Sequence, residues 1–426
     1  MFPMKQSLNL LSKTELFPSL RQKAFALSLL LLLFSISLFM EYQHFKKLTE
    51  FDDYFATVWV EKQYKKRDYW VLKLQSTEGF YFYTSSRENI KDLEGERIRL
   101  RLFIKDLDFL SYLKGFYAPS QILLGLESKV QRYSLMHSLD TLHPKRISPL
   151  YKALFFAGSI PISLREQLSA LGVNHLLAIS GFHLGVLSFI LFFILKPVYR
   201  PFHDRFFPYR NAHKDIAIMV FSLLFLYLNF LDFVPSLLRA FSMSIFAYIL
   251  YDRGIKILSF TSLFLVIGFL IALWPKLVFA LGFWFSVAGV FYIFLFLHHM
   301  KELKTWQSFI LLHFWVYLAM LPVVHYFFGS FSLYQLYSPL LTMLFILFYP
   351  LTLVLHLFSV GSLLDVFLEY LVDLDIFVIQ IFVPLWLLTF YIFISFLAIL
   401  HRFIFYFLLF FNLGLLGYFL YRITEF

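Results

Sequence analysis

Long uncharged hydrophobic runs alternate with short polar segments along most of the chain. The first run, residues 24–40, follows the basic residues Lys13, Arg21 and Lys23. Similar runs lie near 173–195, 215–233, 237–251, 257–273, 277–297, 307–328, 338–358, 376–399 and 403–420. About 20 apolar residues suffice for a helix to cross a bilayer, so the pattern predicts a mostly α-helical polytopic membrane protein with roughly ten spans.

The charged loops predict an orientation. Basic residues precede the first run, which favours a cytoplasmic N-terminus and places the next segment outside. Counting spans from there puts three later basic loops on the cytoplasmic side as well: Lys196 to Lys214, Arg253 with Lys256, and Lys301 with Lys304. Beyond residue 358 the parity stays open, because a stretch that could lie along the interface carries Asp365, Glu369, Asp373 and Asp375.

Residues 51–130 depart from the helical pattern, since apolar and polar positions there alternate with a period of two. About five short strands separated by polar turns predict a small OB-like β-barrel inserted among the spans. The predicted organisation is a cytoplasmic N-terminus with the first span, a periplasmic OB-like domain, a connecting segment and a multi-span domain, over residues 1–45, 46–135, 136–170 and 171–426.

One predicted strand carries a row of cations. Ile98, Leu100 and Leu102 face one side, so Arg97, Arg99 and Arg101 face the other. Basic and aromatic groups together are typical of surfaces that bind single-stranded nucleic acid. The candidate DNA-binding set therefore adds Lys62, Lys65, Lys66, Arg67, Tyr69, Tyr81 and Tyr83. A solvated basic face with packed tyrosines is the alternative.

The segment Asn174 to Gly185, NHLLAISGFHLG, places two histidines, a serine and two glycines at the opening of a predicted span. Polar groups at membrane depth usually face a bundle interior or a wet cavity, and a broken helix is tolerated there. We therefore expect this segment to line or gate a pore. A packing face formed by Gly181 and Gly185, with His175 at the headgroup level, remains the alternative.

Other polar groups were weighed for chemistry. In an unbroken helix, His175 and His183 lie roughly 12 Å apart, too far to share a metal ion. His137, Asp140 and His143 are expected to be solvated, and no metal site or cofactor is predicted. Ser180 could act as a hydrolase nucleophile only with a distant base such as His313 or His325, which could instead form a proton path or simply pack. Arg239 could attract phosphate at a channel mouth or snorkel.

Composition narrows the function further. The 426 residues include 58 Phe, 26 Tyr and 7 Trp, and 60% are hydrophobic, which excludes an ordinary soluble protein. The absence of cysteine excludes disulfides and thiolate chemistry. The net charge of +10 suits cytoplasmic loops or a surface that binds polyanions. No G-x-x-x-x-G-K-[ST] motif occurs, so energy from nucleotide hydrolysis would have to come from a partner.

The string HLLAISGFHLG after Leu171-Gly172-Val173-Asn174 resembles the signature of the ComEC competence-protein family, which forms an inner-membrane channel for transforming DNA. A Ser-x-x-Arg-Ala element at 236–240, a Gly-Phe element at 282–283 with a displaced Ser286, and a Pro-containing later span are similar too. The resemblance spans about 51–350. It marks as functional positions Asn174, His175, Ser180, Gly181, His183, Gly185, Arg239 and Pro322.

The resemblance implies a protein of the bacterial inner membrane that works with single-stranded DNA and several partners. These are a periplasmic DNA receptor, a cytoplasmic motor ATPase and single-strand-binding proteins, with a homo-oligomer as an open option. Many relatives add a metallo-β-lactamase-like domain with an H-x-H-x-D-H motif, which this sequence lacks. A separate nuclease is therefore expected, and the chain itself is not expected to be an enzyme. Relatives often have further spans and a cysteine pair in the OB-like domain, also absent from these residues.

These observations together predict a channel that passes single-stranded DNA into the cytoplasm during natural transformation. The alternatives are a proton-coupled secondary transporter or lipid-linked substrate flippase and, third, an intramembrane serine hydrolase.

Overall fold

The computed structural model describes residues 19–66, 68–77, 79–87, 93, 96–126, 130–231, 233–254 and 259–425. They divide into two compact units. The first, termed the sheet unit, takes the described residues of 15–141 together with 264–283. The second, termed the helical unit, takes those of 142–263 and 284–426.

The sheet unit begins with a long apolar helix, α1 (Leu20–Leu48), whose first turn is closed by a capping box between Ser19 and Gln22. Six strands, a short helix and a final helix follow: β1 (Asp53–Lys66), β2 (Tyr69–Ser76), β3 (Tyr81–Ser86), β4 (Arg97–Phe103), α2 (Phe109–Lys114), β5 (Phe116–Tyr117), β6 (Ser120–Leu126) and α3 (Val130–Leu142). Residues 51–130 therefore contain short strands, as the alternation predicted.

The strands lie in the order β5-β3-β2-β1-β4-β6, antiparallel except for the β3–β5 pair. The inward side chains of Val58, Leu72 and Leu100 are fully buried, and they pack with Phe80 and Tyr112 in one apolar core. The alternation that predicted the strands thus has its physical cause in a sheet with one buried face.

The predicted barrel is not shown. Among the described residues no hydrogen-bonded pair joins the edge strands β5 and β6, and the sheet has six strands in place of about five. Pro119 separates these two strands and has no N–H to donate, so a continuous ladder cannot run through it.

The remaining elements are mostly helical. They are α4 (Ser148–Phe156), α5 (Ile162–Ala170), α6 (Asn174–Leu177), α7 (Gly181–Phe206), α8 (Ala212–Phe230), α9 (Pro235–Asp252), α10 (Phe260–Leu273), α11 (Leu281–His299), α12 (Thr305–Phe327), α13 (Ser338–Leu357), α14 (Asp365–Val372), α15 (Leu385–Leu397) and α16 (Arg402–Thr424). A two-stranded pair joins β7 (Ser330–Phe331) to β8 (Ile379–Gln380), and short 3-10 helices cover Pro275–Phe279, Leu333–Tyr337 and Gly361–Leu364.

Seven helices in the described part of the chain are long and apolar enough to cross a membrane: Leu20–Leu48, Gly181–Phe206, Ala212–Phe230, Leu281–His299, Thr305–Phe327, Leu333–Leu357 and Arg402–Thr424. Two of the other predicted spans, α10 and α15, are apolar but shorter. With 14 residues, α10 is about 21 Å long, against a hydrocarbon core of about 30 Å. The prediction of roughly ten spans is therefore supported only for these seven.

Candidate nucleic-acid interface and signature segment

The arginine row predicted on β4 is present in the sheet unit. Ile98, Leu100 and Leu102 are fully buried, and the intervening arginines point to the opposite face, where Arg97 and Arg99 are exposed and Arg101 is half-buried. Cross-strand pairing sets Arg97 opposite Trp59 and Arg101 opposite Phe55. The outer face of β1 and β4 thus carries rings and guanidinium groups side by side.

Three aromatic residues on this face were missed by the sequence analysis: Phe55, Trp59 and Phe103. Phe55 is 54% exposed and Phe103 41% exposed. The Arg97 guanidinium lies 5.7 Å from the Trp59 ring, and that of Arg101 lies 5.3 Å from Phe103. The signal was available, because alternation along β1 assigns Phe55, Thr57 and Trp59 to the side opposite Ala56 and Val58.

Two carboxylates neutralise part of the charge on this outer face. Arg101 donates from Nε to Asp53 Oδ2 at 2.6 Å, and Lys73 pairs with Glu61 at 2.6 Å. Within the described part of the sheet unit, Arg97 and Arg99 form no salt bridge. These two guanidinium groups are therefore not neutralised by a carboxylate of the described residues.

The predicted tyrosines take different positions. Tyr81 and Tyr83 are half-buried on β3, and Tyr83 lies opposite Lys73. Tyr69 begins β2 and is more exposed. Burial and the nearby Glu61 raise the pKa of Tyr81, which keeps its phenol neutral. Lys62, Lys65 and Lys66 lie in β1, but their side chains, and Arg67 altogether, are outside the described residues.

In the helical unit, the signature segment breaks as predicted. The short α6 ends at Leu177, Ser180 is extended with φ −128° and ψ 179°, and α7 begins at Gly181. His175 is exposed and His183 is buried. The break removes the distance argument against a shared metal ion. No group of three or more potential ligands that could hold a metal is found among the described residues.

Side chains of the 3-10 helix 333–337 and of the first residue of α13 hold the turn that precedes the break. Gly172 has φ +70°, a conformation that favours glycine, and its carbonyl accepts a hydrogen bond from Ser338 Oγ at 2.8 Å. A Cβ added at Gly172 would lie 3.1 Å from that of Ser338. Gln335 Nε2 donates to the Ser169 carbonyl, and Asn174 Nδ2 donates to Ser169 Oγ at 2.8 Å. These contacts hold the turn in place.

The Ser-x-x-Arg-Ala element at 236–240, in α9, packs against the break. A Cβ built at Gly181 would lie 3.8 Å from Ala240, and Leu237 shares a core with Ile179 and Leu184. Arg239 lies at the start of the second turn of α9 and is half-buried. Gly185, by contrast, has no atom within 4 Å of its Cβ position. The structure thus brings most of the predicted signature residues together.

Pro322 lies elsewhere in this unit, buried within α12. One turn later, His325 is buried and its Nδ1 lies 3.2 Å from the Ile381 carbonyl. His313 is half-buried, and its Nδ1 lies 2.7 Å from the Phe309 carbonyl. Both histidines considered as hydrolase bases thus contact backbone carbonyls. Neither is hydrogen-bonded to Ser180.

Ser180 has a different partner, His183. Both the Ser180 backbone N–H and its hydroxyl lie 3.1 Å from His183 Nδ1. Because the backbone N–H can only donate, Nδ1 accepts and the ring proton resides on Nε2, which has no hydrogen-bond partner among the described residues. The ring instead meets Tyr349 edge-on at 4.5 Å. This is a capping box at the start of α7. In the described part of the chain, no carboxylate is hydrogen-bonded to the His183 ring to support a catalytic base.

The expectation of solvation for His137, Asp140 and His143 is half right. His137 is 81% exposed and lies 3.4 Å from Asp140. The prediction is wrong for His143, because its side chain is fully buried against Asp365. Sequence spacing missed this because the partner lies 222 residues away.

Comparison with known proteins settles the relationship. A family model described as Competence protein matches residues 156–419, which covers the broken signature segment, the α9 element and Pro322. The chain belongs to this family. No curated protein and no solved structure matches the chain significantly.

Membership in the competence family, together with seven helices able to span a bilayer, makes this chain a membrane protein with a role in DNA uptake. The match includes more than half of the 426 residues and leaves the strands of the sheet unit outside it.

Proposed function

We propose that this competence protein passes single-stranded DNA across the bacterial inner membrane during natural transformation, and that the outer face of β1 and β4 binds the strand. The observation that carries the proposal is the alternation of rings and cations there, Trp59 beside Arg97 and Phe55 beside Arg101. Every base offers a π-face and every nucleotide a phosphate, so such a surface binds single strands without reading sequence.

The expected energies are adequate for transient capture. Base stacking on an aromatic side chain is worth roughly 1–3 kcal/mol per base. Arg97 and Arg99 add phosphate contacts whose strength depends on salt. A surface of this size captures DNA reversibly, which suits a protein that must release the strand onward.

The strand connectivity supports an OB-like assignment for this unit. β1, β2 and β3 form a meander, β4 returns to the other edge of β1, and the segment 116–126 reaches both outer strands. Ala118 N donates to the Tyr83 carbonyl and Phe103 N to the Pro119 carbonyl, each at 3.0 Å. We propose that the sheet unit is an OB-like domain whose closure passes through the Ala118-Pro119 bend.

The helical unit would provide the passage. A broken helix is tolerated at membrane depth where it is buried in protein or lines a cavity. Ile179 within the α6–α7 break is buried, and Ser332, Gln335 and Ser338 anchor the turn that precedes α6. We assign the constriction to this break and a phosphate-attracting role to Arg239. The proposed orientation places the N-terminus in the cytoplasm and the sheet unit in the periplasm, with a DNA receptor there, a motor ATPase and single-strand-binding proteins inside, and a separate nuclease.

The test uses full-length protein in detergent micelles and a fluorescent single-stranded oligonucleotide. Changing Arg97, Arg99 and Arg101 together to Glu should abolish binding at moderate salt. Changing all three to Gln should reduce the slope of log affinity against log salt by about 1.4 to 2.1, since each phosphate contact contributes about 0.7.

The matched control changes all three arginines to Lys, which keeps the charge and should keep most of the salt slope. Entry of labelled DNA into complemented deletion cells should follow the same order of variants. A small-molecule transporter or flippase would be indifferent to these changes, so full DNA uptake by the Glu variant would overturn the proposal.

A further inference from the structure

Three side chains distant in sequence meet in the interior of the helical unit: His143, which follows α3, His356 near the end of α13, and Asp365 at the start of α14. His143 Nδ1 lies 2.9 and 3.0 Å from the two carboxylate oxygens of Asp365. His143 Nε2 lies 3.0 Å from His356 Nε2. His356 Nδ1 lies 2.7 Å from the Thr352 carbonyl. None of these contacts is used by the proposed DNA path.

The distances determine how many protons the three groups hold. The Thr352 carbonyl can only accept, so His356 Nδ1 carries a hydrogen and a neutral His356 has a lone pair on Nε2. If Asp365 is ionised, His143 Nδ1 also donates, and a neutral His143 likewise has a lone pair on Nε2. Two lone pairs cannot face each other at 3.0 Å. One additional proton must therefore lie between the two Nε2 atoms.

The alternative proton arrangement gives the same count. A protonated Asp365 could donate to His143 Nδ1, and His143 Nε2–H would then donate to His356. Either way the three side chains hold one proton more than an ionised carboxylate with two neutral imidazoles, and the cluster is electrically neutral. Both arrangements therefore give the same proton number.

The surroundings make this proton hard to lose. The side chains of His143 and Asp365 are 0% and 8% exposed. A Cβ at Gly361 would lie 2.7 Å from His356 Nε2, so the backbone of that turn closes directly over the pair. Tyr151 packs on His143 with ring centroids 4.2 Å apart. Loss of the proton would leave a net negative charge in a buried cluster, which is costly.

Other titratable groups near the cluster do not replace the proton. On α4, burial and the neighbouring Asp365 raise the pKa of the Tyr151 phenol, which therefore stays neutral. Arg146 is engaged with Asp373 at 2.6 Å in an exposed pair that joins the same two segments. Lys145 and Lys152 on the first segment and Glu369 on α14 are the remaining charged groups nearby in sequence.

We propose that His143, His356 and Asp365 form a binding site for a single proton, which clamps α14 against the corner between α3 and α4. The closed site holds one proton that the opened, hydrated site releases as the pH rises. The clamp is therefore complete below the pH at which the opened site releases its proton, and it weakens from there up to the pH at which the closed site itself loses the proton. Between those two pH values, opening should become about tenfold more frequent per pH unit.

Hydrogen–deuterium exchange of the full-length protein in micelles, followed on peptides of 365–372 and corrected for the intrinsic rate, measures this opening. In the wild type, protection should decline tenfold per unit at alkaline pH. In Asp365→Asn, the amide N–H can donate to His143 Nδ1 and leave His143 Nε2–H to donate to His356, so no additional proton is needed and the decline should disappear. Asp373→Asn, which removes the exposed pair between the same segments, should leave the onset unchanged.

A double variant, Asp365→Asn with His356→Gln, supplies a permanent amide N–H to His143 Nε2 and contains no shared proton. It should be protected at all pH values tested, which separates proton binding from mere packing. The single His356→Gln variant should lose the pH dependence as well. It replaces Asp365→Asn as the test variant if Asp365→Asn does not fold.

Superimposable pH profiles of wild type and Asp365→Asn would overturn the proposal, as would a tenfold decline that persists in the double variant. A loss of protection at neutral pH after addition of EDTA would show a metal ion between the two nitrogens in place of a proton. None of these readouts involves DNA, so the outcome is independent of the proposed transport function.

Discussion

The two units treat polar groups in opposite ways. The sheet unit buries an almost purely apolar core and displays its charges on an open face, where Arg97 and Arg99 are exposed. The helical unit displays apolar side chains and buries polar ones, among them His183, His325 and Asp365. In one unit, polar side chains are available to a ligand; in the other, they hold backbone breaks and turns. A substitution of the same type should therefore have different consequences in each.

The largest effect is expected inside the sheet. Leu100→Ala should destabilise the protein by roughly 2–5 kcal/mol, because it leaves a cavity at a fully buried position. Arg99→Ala, one residue earlier on the exposed face, should cost no more than about 0.5 kcal/mol. Thermal unfolding in micelles checks both. Equal destabilisation by the two changes would contradict the assignment of a functional outer face.

Trp59→Ala should weaken single-stranded DNA binding by roughly 1–3 kcal/mol, because a stacking platform is lost, while folding is largely retained. Trp59→Phe keeps a ring and should recover most of the affinity. The control is Tyr209→Ala, which removes an aromatic side chain that is 88% exposed in the helical unit. Fluorescence anisotropy with one oligonucleotide measures the affinity. Equal losses of affinity in Trp59→Ala and Tyr209→Ala would contradict the proposed interface.

Two glycines of the helical unit should respond in opposite directions. Gly172→Ala forces a left-handed conformation on alanine and crowds Ser338, at a cost of about 1–2 kcal/mol, and should reduce DNA entry by displacing the turn. Gly185→Ala meets open space within a helix and should be neutral or stabilising by up to about 1 kcal/mol. Unfolding midpoints and uptake assays should agree. Loss of uptake in a stable Gly185→Ala protein would instead indicate that something passes close to that position.

The smallest effect tests the cap at the break. Ser180→Ala should destabilise α7 by about 1 kcal/mol, whereas Ser180→Gly should cost only a few tenths, because glycine is tolerated at a helix N-cap. DNA entry should follow stability. A hydrolase would lose turnover equally in both variants, so equal and complete loss of function with normal stability would revive that alternative.

Much of the sheet face and of the signature break was predictable, because both depend on short-range rules. Alternation assigns Arg97, Arg99 and Arg101 to one side of β4 whatever surrounds the strand. The glycines and Ser180 similarly predict an interruption before α7. The span count was less predictable, since apolar composition alone does not set the length of α10 or α15.

The sequence by itself determined the membrane character, the sheet segment with its row of cations and the family signature, because each depends on composition or on neighbours a few residues apart. Only the tertiary structure decided that Trp59 lies opposite Arg97 and Phe55 opposite Arg101, that Ser338 holds Gly172, and that His143 lies buried between Asp365 and His356. These contacts join residues tens to hundreds of positions apart. Periodicity carries no information about such pairs, and packing selects them.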